Sequence, residues 1–147
     1  MIKRLSPKEN VNEAIEKKIL LAKQSMQRTF MRVGEECINY ARIHGSYIDQ
    51  TGNLRSSIGY AVLDDGREIS VKGFEQVKEG AKGVRSGKQF LKEIMSRHRN
   101  GIVLIVVAGM DYAAEVESRG RDVIAGSQLY GENLAPKLLR QLGFKIK

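Results

Sequence analysis

One apolar stripe constrains this chain more than any other feature. Val11, Ile15, Ile19, Ala22, Met26, Phe30, Val33, Cys37, Ala41 and His44 recur at spacings of three and four, which places them on one side of a helix. A helix over residues 11–44 is about 50 Å long at about 1.5 Å per residue. A compact domain of 147 residues is only roughly 30–40 Å across. One end of the helix must therefore overhang its own domain. Either its first turns fray or fold back, or a neighbouring subunit covers the overhanging stripe. Val11, Ile15, Ile19 and Ala22 are on that account the candidate oligomer interface. Residues 1–10 read as a flexible N-terminus. Asn10 is placed as the N-cap, with Glu13 three positions on, and Gly45 is placed to end the helix in the left-handed conformation. Gly34 is the weak interior position.

The segment Asp49-Gln50-Thr51-Gly52-Asn53-Leu54-Arg55-Ser56-Ser57-Ile58-Gly59-Tyr60 follows, a polar turn that runs into a strand. Residues 57–63 alternate, Asp64-Asp65-Gly66 is a tight-turn signal, and residues 68–73 return, which together predict a hairpin. The turn accounts for the acidic pair without a metal or acid–base role. Residues 74–88 carry Gly80, Gly83 and Gly87 among Lys and Arg and read as a mobile basic loop, with a helix over 88–99 behind it. The run Ile102 to Gly109 is apolar on both faces and reads as a central strand buried on both sides and paired with the hairpin. A short helix capped by Asp111 covers 111–118, and residues 119–124 form a short strand or extended arm. The last helix starts at Ser127 and reaches Leu142, with Pro136 inside it and Gly143 at its end. Leu129, Leu134, Leu138, Leu139 and Leu142 are expected to pack it down, and the tail 144–147 to add an edge strand. The class is α+β, in one domain over 1–147: a long N-terminal helix, a small mainly antiparallel sheet, and flanking helices including a C-terminal one.

Catalytic signatures are missing from the sequence. A single cysteine and two histidines supply no zinc-ligand spacing. His44 and His98 stand at the ends of different helices. Ser56 and Ser57 lack a nucleophile elbow, and the glycines match no phosphate-binding fingerprint. Asp111, Glu115 and Glu117 form one acidic cluster, which capping and solvation explain. No enzyme, cofactor or metal is expected. A lone Cys37 cannot form an internal disulfide, which favours a reducing compartment. The start of the chain is too charged for a secretory signal, and its most apolar run is far short of the roughly 20 residues a membrane span needs, so no membrane partner is expected.

Charge gives a further lead. The net charge is +8, and residues 78–99 hold seven basic against two acidic side chains, a net of +5. Lys78, Lys82, Arg85 and Lys88 are the candidate contact with DNA or a partner protein. With only Phe74 and Phe90 nearby, base stacking is not supported, and any such contact is weak, non-specific and salt-sensitive.

Two segments together carry a resemblance. Thr51, Gly52, Leu54, Arg55, Ser57 and Ile58 match an Asp-Thr-Gly-x-Leu-Arg-x-Ser-Ile turn and strand. Tyr112, Ala113, Val116 and Glu117 match a Tyr-Ala-x-x-Val-Glu element. In this order, over roughly residues 11–142, the chain resembles the tail-completion or head–tail joining (neck, minor tail component) proteins of long-tailed phages and prophages. It departs from them by Gln50 between the Asp and the Thr-Gly, by the longer basic segment 74–99, and by Ser118-Arg119-Gly120-Arg121-Asp122 where a Gly-Thr-rich stretch is usual. The resemblance implies a non-enzymatic structural protein of the virion, assembled in the cytoplasm of a bacterial host. It also implies a homo-oligomeric ring at the portal–tail junction, docked to portal or adaptor and tail proteins, with the isolated subunit a monomer or dimer. The alternative is a basic nucleic-acid-binding module acting outside a virion. Separately, Leu54 is expected in the core and Arg55 paired with an acid such as Glu117.

Overall fold

A computed structural model describes residues 7–146, with side chains from residue 10 onward. In chain order the elements are α1 (Pro7–His44), α2 (Asn53–Ser56), β1 (Ile58–Asp64), β2 (Arg67–Gly73), α3 (Ala81–Met95), β3 (Ile102–Ala108), α4 (Ala113–Ser118) and α5 (Ala125–Gln141). The α+β class holds: a long helix, a three-stranded antiparallel sheet in the order β2-β1-β3, and flanking helices.

Helix α1 begins at Pro7, before the expected start, and absorbs Asn10 into its first turns. Proline suits the first helical position because the N–H it lacks has no partner there anyway. Of the stretch expected to be flexible, residues 7–10 are therefore helical, while residues 1–6 lie outside the described residues. At the other end Gly45 does not take the left-handed conformation; the helix is closed by a side chain described below. With 38 residues α1 is about 57 Å long.

The hairpin forms as expected. Asp65 (φ 49°) and Gly66 (φ 82°) are the two turn residues between the paired Asp64 and Arg67, and positive φ at both matches the right-handed twist of the strands. Asp65 also ties the turn to the chain before β3, accepting from the Gly101 N–H at 2.7 Å and donating its own N–H to the Gly101 carbonyl at 2.9 Å.

The strand in the middle is β1, not β3. All seven β1 residues are buried, whereas β3 pairs with β1 only and is the sheet's edge. An unbroken apolar run is what a doubly covered strand requires, so β3 is more apolar than its place in this chain demands. On one face Ile58, Tyr60 and Val62 join Ile102, Leu104, Val106 and Ala108 against Ile38 and Ala41 of α1. On the other face Ala61, Leu63, Ile105 and Val107 meet Phe74 and Leu91, with Val84, Ile94 and Met95 of α3 alongside. The sheet thus lies between α1 and α3, and α5 packs on α1 beside it. Each fully buried side chain in these layers contributes about 1.5–3 kcal/mol of transfer free energy.

Of the expected loop 74–88, residues 74–80 form neither helix nor strand, but residues 81–88 are helical. Helix α3 starts at Ala81 and runs through Gly83 and Gly87. A Cβ on Gly83 would lie 2.0 Å from the Asn53 carbonyl oxygen, and one on Gly87 2.6 Å from that of Ser57. These glycines let α3 lie directly on the backbone of α2 and the start of β1. Close packing outweighs their poor helix propensity. The helix ends at Met95, short of Arg99.

Further along, α4 starts at Ala113 without a cap bond from Asp111. No strand forms over 119–124 or 144–146, and Lys147 lies outside the described residues. Helix α5 begins two residues before Ser127, whose Oγ donates to the Ile124 carbonyl at 2.7 Å from inside the helix. Pro136 lies within α5, and Gly143 (φ 93°) follows its end, where the Phe144 N–H reaches back to the Leu139 carbonyl, a glycine stop of the expected kind. Leu138 is buried, but Leu129 and Leu142 are exposed, because α5 turns only one side to α1.

Candidate functional site

The two motif segments meet. Leu54 is 2% exposed and packs in one cluster with Tyr47, Met110, Ala113 and Val123, flanked by Val116. The spacing between the motifs in sequence is thus spanned by direct contact in space.

The polar residues of the first motif and its surroundings bind backbone groups. Gly52 (φ 77°) turns the chain into α2, and a Cβ there would lie 2.0 Å from the Val77 carbonyl oxygen, so only glycine suits both the conformation and the space. Residues 53–56, expected as the run into the strand, form the short helix α2 instead. The Thr51 Oγ1 accepts the Asn53 N–H at 3.3 Å, and the buried Asp49 carboxylate accepts the N–H groups of Leu54 (3.3 Å) and Arg55 (2.9 Å). Those are donors that the first turn of a helix leaves without a partner. Asn53 in turn accepts from the Gly83 N–H at 3.0 Å, doing for α3 what Asp49 does for α2. Ser56 Oγ accepts the Val77 N–H at 2.8 Å, and Ser57 Oγ donates to the Leu54 carbonyl at 2.7 Å. Ile58 begins β1 fully buried.

Arg55 does not pair with Glu117. Its Nε donates to the Arg42 carbonyl at 3.3 Å and its Nη2 to the Gly45 carbonyl at 3.1 Å. The guanidinium lies 4.5 Å from the centre of the Tyr47 ring and 3.8 Å from Asp49. A cation placed on the last carbonyls of α1 satisfies acceptors that the helix end leaves open and complements its dipole. Burial pushes the Tyr47 hydroxyl up to about 12, with Arg55 pulling the other way.

Glu117 caps the last helix. Its carboxylate accepts the N–H groups of Val123 (2.7 Å), Ile124 (3.0 Å) and Ala125 (2.8 Å) at the start of α5. Burial raises its pKa, but the three backbone donors together outweigh that and leave it below the ordinary 4.5. A depressed carboxyl stabilises the fold above the unfolded-state pKa, and this stability is lost as pH falls through the folded value. Glu117→Gln is accordingly expected to lower stability by about 1–2 kcal/mol at neutral pH. It is also expected to flatten the loss of stability below pH 4.5, as read from urea midpoints across the acid range. An acid limb as steep as the parent's would count against this role. Asp111 is exposed, and Glu115 pairs with Arg119 on the surface. Tyr112 is 39% exposed. Among the described residues, no group of three or more His, Cys, Asp or Glu is placed to hold a metal ion.

Most of the basic segment is helical. Lys78 (φ 52°) turns back and donates to the Asp49 carbonyl at 2.9 Å, so it serves the corner as well as the surface. Lys82, Arg85 and Lys88 point outward from α3 with Lys92, opposite its buried Gly83, Gly87 and Leu91. Among the described residues none of these four makes an ion pair.

The candidate interface on α1 projects. Residues 10–21 are all exposed, including Val11 (55%), Ile15 (50%) and Ile19 (53%), and Ala22 is half-buried. Leu20 and Leu21 add exposed apolar surface on other sides of the helix. The first buried residue of α1 among those described is Thr29. No family model, curated protein or solved structure matches this chain.

Sequence reasoning missed Asp49 as a cap, because it lies four residues before the helix it serves. It also missed α3's early start. The signal was there in Gly83 and Gly87, one helical turn apart on one face.

Proposed function

We propose that this chain is a non-enzymatic structural subunit of a long-tailed phage or prophage virion, a tail-completion or head–tail joining protein. It acts by assembling as a ring at the portal–tail junction, between portal or adaptor and tail proteins, with DNA passing through the lumen. The observation that carries this reading is the projecting end of α1. Three large apolar side chains on one side of a helix, each about half exposed, gain free energy only when another chain covers them. The motif resemblance supplies the kind of assembly, and the caps centred on Asp49, Arg55 and Glu117 give a rigid corner behind it.

Quantitative mass spectrometry of purified particles from the encoding phage or induced prophage tests the reading. The protein is expected in a fixed, ring-like copy number per particle, and its deletion is expected to leave unjoined heads and tails in electron micrographs. Absence from purified particles would sink it.

The basic face of α3 favours a second reading, a nucleic-acid-binding module outside a virion. Four cations on phosphates give a log–log salt dependence with slope near −3.6 at about −0.9 per contact. Tight DNA binding with that slope, by a protein absent from particles, would favour this alternative.

A further inference from the structure

The two edges of the sheet differ. The edge strand β2 carries Arg67, Glu68 and Lys72, and its pairing with β1 has an irregular register at Val62/Leu63, devices that discourage pairing with another chain. The outer edge of β3 has neither: Ile102–Ala108 is uncharged and its register with β1 is unbroken. The Gly109 N–H donates to Ser57 and the Gly101 carbonyl accepts from Asp65. Odd-numbered residues of β3 therefore face β1, and the N–H and C=O groups of Ile102, Leu104, Val106 and Ala108 point outward. Their side chains lie on the α1 side of the sheet.

An open apolar groove of about 570 Å³ runs beside this edge. Phe30 and Val33 of α1 form its floor, Leu104 and Val106 one wall, and Gly131 and Ala135 of α5 the other. Glu132, on the α5 side, is its one charged lining residue. The stripe on α1 and this groove are thus both uncovered apolar surfaces. They cannot meet within one molecule, because Ile15 and Phe30 lie on the same continuous helix, about 22 Å apart at about 1.5 Å per residue.

We propose that the stripe Val11, Ile15, Ile19 of one copy docks in the α1–β3–α5 groove of a second copy and covers the free edge of β3. This rests on the reading of the stripe as an assembly surface and names what receives it. Charge favours the groove over pairing of stripe with stripe. Lys18 lies two turns from Val11 and one from Ala22, within the stripe. Stripe-to-stripe packing brings two lysines to an apolar seam, whereas the groove offers Glu132. Covering an edge with a helix is a known way to protect it, and apolar anchors one turn apart suit a helix-in-groove contact. Donor and acceptor are different surfaces of the same chain, so the contact is head-to-tail. Successive copies then form a ring wherever the rotation closes. One such contact is small, so pairs are weak and closure supplies the stability.

Cross-linking between separately labelled copies tests this. In a Cys37→Ala background, Val11→Cys, Ile15→Cys and Ile19→Cys chains are each mixed with an Ala135→Cys chain at high concentration and mildly oxidised. At least one mixture is expected to give a heterodimer that neither chain gives alone. Lys18→Glu is expected to lower its yield at least tenfold, and Glu132→Lys in the acceptor to restore it. Both charge changes are on the surface, so circular dichroism is expected to stay unchanged. Homodimers through the stripe cysteines would overturn the groove while leaving α1 as an assembly surface. Absence of any cross-link, from a protein still found in particles, would overturn the groove alone. Absence of both would overturn the functional reading with it.

Discussion

Gly83→Ala is expected to destabilise the protein by roughly 3 kcal/mol, the upper range for overpacking a tight contact. Helix propensity alone predicts the opposite sign, a gain of about 1 kcal/mol for alanine over glycine inside a helix. The structure decides between them. A Cβ at Gly83 would lie 2.0 Å from the Asn53 carbonyl oxygen and 2.7 Å from its carbon. These are backbone atoms of α2, and α2 cannot retreat without disturbing Leu54 in the core or the bond from Gly83 N–H to Asn53. Urea denaturation measures the effect directly. A stabilised variant would mean that α3 does not lie on α2 as described. Because the same contact orients the basic face of α3, any DNA binding is expected to weaken in parallel.

Arg55→Ala is expected to cost about 2–3 kcal/mol, the sum of two hydrogen bonds from a charged donor, discounted because the side chain is 24% exposed. The loss would have three sources: open carbonyls at Arg42 and Gly45, a bare Tyr47 face, and an Asp49 carboxylate with less compensation. Arg55→Lys is expected to recover less than half, since one ammonium cannot reach two carbonyls in a fork while lying flat on a ring. The effect should persist in high salt, because it arises from short bonds to carbonyls and not from an exposed ion pair. A change under about 0.5 kcal/mol in Arg55→Ala would show that α1 is closed by other means. This replaces the pairing with an acid such as Glu117 that was expected of the motif. Arg55 and Glu117 each cap a helix, but at different ends of the corner.

Local patterns in the chain were enough for the long helix, the hairpin turn at Asp65-Gly66 and the glycine stop at Gly143. Each depends on neighbours within a few positions: a period of 3.6, a pair of positive φ values, a residue free to turn left-handed. Periodicity also foretold that α1 exceeds its domain, since length and mass suffice for that comparison. The candidate site was legible in part. Leu54 as a core residue followed from the sequence, while the partners of Asp49, Arg55 and Glu117 did not.

Sequence by itself determined which segments become helix or strand wherever the signal is local, and that the α1 stripe would find too little of its own chain to cover it. Only the tertiary structure decided that β1 and not β3 is the central strand. Apolar content reports how much cover a strand can accept, not how much its neighbours provide. It likewise decided that a glycine-rich basic stretch is a helix, because the backbone that Gly83 and Gly87 approach belongs to residues some thirty positions earlier. The caps at Asp49, Arg55 and Glu117 follow the same logic. A charged side chain shows its chemistry in the sequence, but which helix end lies within hydrogen-bond reach of it is settled only when the chain has folded.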